Sequence, residues 1–92
     1  MFTERESTDG ILFMSKVVKG KRIKDSINDG DEVTLKIGDE TILVRDAVAT
    51  GAGSFNGTVF GFEPSHSIEF RGLKLQQSVD FLERHVISCY GA

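Results

Sequence analysis

From residue 32 onward the chain alternates apolar and polar positions in short bursts, each closed by a turn sequence. Glu32–Ile37 is the cleanest burst: Val33, Leu35 and Ile37 share one parity, Glu32, Thr34 and Lys36 the other. Successive side chains of a strand point to opposite faces, so this pattern predicts a half-buried β-strand. Asn28-Asp29-Gly30-Asp31 precedes it and predicts a turn, because Asn and Asp bond nearby backbone and Gly accepts positive φ. Gly38-Asp39-Glu40 has the length of a hairpin loop, and the return strand runs from Thr41 to about Val48. Ile42, Val44 and Val48 share its apolar parity, but Asp46 interrupts it. An extra residue re-aims a strand, so a β-bulge is predicted near Asp46.

Ala49–Ser54, with Gly51 and Gly53, reads as a flexible loop. Phe55–Glu63 reads as a strand in which Gly57 and Gly61 mark bends or the close approach of another chain segment. Glu63-Pro64-Ser65-His66 is the next turn, and Ser67–Arg71 alternates again with Ile68 and Phe70 inward. Two periods then compete. Leu75, Val79, Leu82 and Val86 form a helical stripe. Period 2 instead gives strands at about Val79–Leu82 and Val86–Cys89, joined by a turn at Glu83-Arg84-His85. The two strands are the preferred reading. Ahead of residue 28, Ile11–Val18 reads as a strand, Lys19–Arg22 as a turn and Met1–Asp9 as a frayed polar arm.

Together these elements predict one all-β domain over residues 1–92. Five to six short strands would roll into an antiparallel sheet or a small barrel. With glycine at its corners and a tight turn before its last strand, the Asp29–Cys89 pattern is similar to SH3-like barrels, an architecture that hosts unrelated functions. An α+β fold with a helix at about 74–88 is the alternative. The expected core is Ile11, Phe13, Val33, Leu35, Ile37, Ile42, Val44, Val59, Phe60, Phe62, Ile68, Phe70, Leu75, Val79, Phe81 and Val86.

Composition narrows the function classes. Of 92 residues, 39% are hydrophobic and 27% charged, a globular rather than a disordered balance. The longest apolar run is Ile11–Met14, far below the roughly 20 residues that span a bilayer, and the polar acidic start is unlike a secretory leader. No membrane partner is therefore expected. One cysteine, Cys89, excludes an internal disulfide and fits the cytoplasm. Net charge is −3, but unevenly spread. Residues 1–24 hold six basic and three acidic side chains, whereas residues 25–70 hold two basic and nine acidic. The basic strip Lys16, Lys19, Lys21, Arg22 and Lys24 is a candidate phosphate contact, weighed against a lysine-rich solvated linker.

Candidate chemistry is thin. His85 and Cys89 stand four apart, but a structural zinc site needs four ligands, and His66 is the only other histidine. Cys89 with either histidine lacks any further mark of a nucleophile site. The acidic cluster Asp25, Asn28, Asp29, Asp31 and Glu32 fails as a calcium loop, with Ile27 and Lys36 at ligand positions three and twelve. Gly51-Ala52-Gly53-Ser54 lacks the Lys-Ser/Thr of a phosphate loop. Phe55, Phe60, Phe62 and Phe70 would suit base stacking, but no lysine accompanies them and a core role is favoured. The expectation is a non-enzymatic protein-interaction module without cofactor or metal. A homodimer is expected, because Leu43 against Ile42 and Val44, and Val59 against Phe60 and Phe62, put apolar residues on both parities. A nucleic-acid-binding β-barrel using the 16–24 strip is the alternative.

Overall fold

The computed structural model describes residues 2–5, 10–14, 26–66 and 68–91. Among these residues eight strands form: β1 (Leu12–Met14), β2 (Asp31–Ile37), β3 (Glu40–Gly51), β4 (Ser54–Glu63), β5 (Glu69–Phe70), β6 (Leu73–Lys74), β7 (Ser78–Leu82) and β8 (Ser88–Tyr90). A 3-10 turn at Glu83–His85 links β7 to β8, and no α-helix occurs among the described residues. The helix alternative at 74–88 is thereby overturned. Leu75, Val79, Leu82 and Val86 match a helical spacing, but Leu75 lies in a turn with Gln76 at φ +70°, Val79 and Leu82 lie in β7, and the 3-10 turn separates them from Val86.

Six strands make one sheet in the order β1-β8-β2-β3-β4-β7, and β5 pairs with β6 as a separate hairpin. The five strands from β8 to β7 are antiparallel, and β1 joins β8 in parallel. The all-β rolled sheet is therefore as expected, but it does not close into a barrel, since β1 and β7 stay at opposite ends of the order.

The bulge near Asp46 is present and decides which face is core. Val33 pairs with Val44 but Asp31 with Ala47, and Arg45 pairs with Thr58 but Val48 with Asn56. On both sides β3 carries one extra residue, and Asp46 takes φ +54° there. Parity flips across the bulge. Ala47 enters the core at 0% exposure and Val48 turns outward at 40%, the reverse of the simple alternation. A second offset, in which Leu43 pairs with Gly61 and Val44 with Val59, makes Phe60 the extra residue of β4. Val59 and Phe62 are consequently both buried while Phe60 is only half-buried.

The core comprises Val33, Leu35, Ile37, Ile42, Val44, Ala47, Val59, Phe62, Leu73, Val79, Phe81, Val86 and Cys89. Phe55 stacks on Phe81 with ring centroids 5.6 Å apart, and Phe62 meets Phe70 at 6.2 Å. Ile11, Phe70 and Leu75 are partly buried against the core. Ile68 is a correction: it is 75% exposed. Only Glu69 and Phe70 of the expected Ser67–Arg71 strand form one, and they turn back through Arg71–Gly72, both at positive φ, as a tight hairpin of the mirror-image type requires. The expected Ala49–Ser54 loop shrinks to Ala52–Gly53, because β3 continues to Gly51 and pairs with Ser54.

Phe2–Arg5, part of the segment expected as a polar arm, makes backbone contacts. Thr3 donates its N–H to Lys36 O (2.7 Å) and Arg5 to Arg84 O (2.8 Å), so this strap lies across the end of β2 and the 3-10 turn. Of the Ile11–Val18 strand, Leu12–Met14 is formed. Residues 15–25, with the Lys19–Arg22 turn, lie outside the described residues.

Gly61 permits a close approach. A Cβ there would stand 2.9 Å from Leu43 Cδ1, the end of a flexible, half-buried side chain. Gly61→Val should cost about 1–2 kcal/mol, because Leu43 can give way. A thermal melt matching wild type would remove this contact from the account.

Candidate interaction surface

The Phe60 bulge opens a groove on the outer side of β3 and β4. Phe60, turned off the core, stands with Leu43, Gly61, His66, Ile68 and Leu75 around about 220 Å³. Leu75 N–H donates to Ile68 O (3.2 Å) and Gln76 N–H to Val59 O (2.7 Å), which anchors the β5–β6 hairpin beside β4. His66 is exposed, at φ +54°, and its N–H donates to Phe62 O (3.0 Å). The segments around the groove carry both charge signs: Glu63 and Glu69 against Arg71 and Lys74, all exposed. Arg71 holds its guanidinium 5.5 Å from the Phe70 ring centroid. Ser65 donates to Glu40, a nearly buried carboxylate, and so ties the Pro64 turn to the start of β3.

A second groove, of about 430 Å³, lies between the β3–β4 tip and the 3-10 turn, lined by Arg5, Ala52, Gly53, Leu82, Glu83 and Arg84. Its arginines serve the fold. Arg5 Nη1 donates to Glu83 O (2.8 Å) and Val86 O (2.7 Å), and Arg84 stands 4.0 Å from Glu4.

The chemistry-bearing residues fall apart in space. Cys89 is fully buried, with its thiol donating to Asp31 Oδ2 (3.3 Å), while His66 lies on the outer groove and His85 at the 3-10 turn. Among the described residues, no three His, Cys, Asp or Glu side chains group to hold a metal ion. The acidic turn is occupied with itself: Asp31 Oδ2 accepts Asn28 N–H (2.8 Å) and Asp29 Oδ1 accepts Ala49 N–H (3.3 Å). The four phenylalanines of the stacking reading divide between core and groove rather than sharing one open face. Lys16, Lys19, Lys21, Arg22 and Lys24 lie outside the described residues.

Sequence reasoning missed the groove because Phe60 and Ile68 carry strand-core side chains. The available signal was that Ile68 follows a proline turn and sits between Ser67 and Glu69. Set against family models, curated proteins and solved structures, the chain matches none. No helix among the described residues is long and apolar enough to cross a membrane.

Proposed function

We propose that the protein is a non-enzymatic interaction module of the cytoplasm, and that the partner its groove fits is a second copy of the same chain. The observation that carries this reading is Ile68, 75% exposed beside the half-buried Leu43, Phe60 and Leu75. Single exposed apolar side chains are ordinary, whereas a contiguous apolar groove with a polar rim marks a contact surface. The mixed rim favours self-pairing. Around a two-fold axis the same patch meets itself inverted, so Glu63 and Glu69 of one copy can face Arg71 and Lys74 of the other. β3 and β4 each have a paired strand on both sides, so contact would come through the sheet face rather than by strand addition. The buried lone thiol of Cys89 suits a reducing compartment.

Sedimentation equilibrium at about 10–100 μM should show a dimer, as a Kd near 1 μM requires. Ile68→Glu should sediment as a monomer and keep the wild-type far-UV circular dichroism spectrum, with Tm lowered by the lost dimer stabilisation. A monomeric wild type would overturn self-association, and a dimer that survives Ile68→Glu would place the contact elsewhere.

A further inference from the structure

The strap at Phe2–Arg5 meets the sheet around one imidazole. His85 Nδ1 accepts the Leu82 N–H at 3.0 Å, which requires that nitrogen to be unprotonated and leaves the neutral ring's proton on Nε2. The ring lies 5.8 Å from that of Phe2, tilted by 52°, and Phe2 packs against the core. After Phe2 the strap is pinned by Thr3 N–H to Lys36 O, by Gly38 N–H to Thr3 Oγ1 (3.0 Å) and by Arg5 N–H to Arg84 O.

We propose that His85 is a pH-sensitive latch, holding the N-terminal strap on the sheet while neutral and releasing it when protonated. Protonation at Nδ1 turns the acceptor into a donor aimed at the Leu82 N–H, so the hydrogen bond becomes a repulsion. It also places a charge on a half-buried ring against Phe2. The charged surroundings divide. Burial lowers the imidazole below its ordinary value of 6.5 and is the largest influence; Glu4 on the strap opposes it, while Arg84 and the α-amino group add to it. Arg5 and Glu83, the remaining charged neighbours along the strap and turn, carry opposite signs. A folded-state value below the free one means that strap docking is fully favourable above pH 6.5 and weakens as pH falls through the ring's own, lower value. The latch shares no residue with the lining of the Ile68 groove, and its test does not depend on dimerisation.

The test follows amide exchange and chemical shifts of the full chain by NMR from about pH 8 to about pH 5. Corrected for intrinsic rates, Thr3 and Arg5 exchange should accelerate about tenfold for each unit by which the His85 value is lowered, while Val33 and Leu35 stay protected. His85→Asn offers an amide oxygen near the Nδ1 position without titrating, so its strap should stay docked across the range, and His66→Gln should leave the wild-type behaviour intact. Strap exchange that ignores the His85 titration in wild type would overturn the latch. An unchanged acid response in His85→Asn would overturn it as well. Wild type alone decides if His85→Asn fails to fold.

Discussion

Gly57→Ala should destabilise the protein by about 3 kcal/mol and lower Tm by roughly 12–24 °C, the largest effect expected from a single methyl group here. Gly57 is buried in β4, paired with Val79 of β7, and its backbone is in ordinary strand geometry, so the penalty is one of space. The new Cβ would press into Val44 Cγ1, stand 3.0 Å from Arg45 O and touch Phe81 Cε1 at 3.5 Å. Val44 is fully buried and β-branched, so its methyl cannot swing aside, and Arg45 O belongs to the adjacent strand. Gly61→Ala meets only the mobile end of Leu43 and should cost less than about 1 kcal/mol. Thermal melts of the two alanine variants decide it. Similar Tm values would mean that β3 and β4 can separate at Gly57, and that the tight packing there is dispensable.

The two glycines show how far the sequence could be read. Their presence inside a strand rich in Phe and Val signalled a bend or a close approach, and close approach is what the structure shows at both. Which approach is hard and which is soft depends on the residue across the ladder, and that follows from register. Register is set here by three offsets, at Asp46, at Phe60 and between Ala49 and Gly51 near the hairpin tip. The one at Asp46 left a mark, because a charged residue fell on the apolar parity. The one at Phe60 left none, because every residue from Val59 to Phe62 is apolar or glycine, and a slip among them breaks no visible pattern. Reading parity straight through Phe60 therefore put Phe60 in the core and missed the groove it forms.

The C-terminal segment was legible for a different reason. Val79 and Phe81 alternate with exposed Ser78 and Asp80, and this local period predicted a strand against the longer helical stripe. The strap was not legible. Phe2 is one apolar residue among polar neighbours, and its anchors, Lys36 O and Arg84 O, are main-chain atoms far away in sequence. Single backbone hydrogen bonds to distant strands have no periodic signature.

Asp31→Ala should cost about 2–3 kcal/mol, although the sequence placed Asp31 only at the end of a turn. It is 4% exposed and stands on the apolar parity of β2, two residues before Val33. Its Oδ2 accepts the Asn28 N–H at 2.8 Å and the Cys89 thiol at 3.3 Å, while its own N–H donates to Asn28 O at 3.1 Å. One side chain thus closes the turn that starts β2 and fastens that turn to β8. Removing it leaves the Asn28 N–H and the buried thiol without this acceptor and opens a small void. A hydrogen bond lost at a buried site costs more than one lost at an exposed site. Cys89→Ala removes only the weaker donor and a small apolar volume, and should cost about 1 kcal/mol. If the carboxylate links the turn to β8, the double variant Asp31→Ala/Cys89→Ala should cost less than the sum of the two single changes, by about 0.5–1 kcal/mol. Urea denaturation of all four proteins measures this. Strict additivity would reduce the Asp31–Cys89 contact to mere proximity. An Asp31→Ala midpoint equal to wild type would show that the Gly30 N–H to Ala47 O bond, 2.8 Å long, holds the turn by itself.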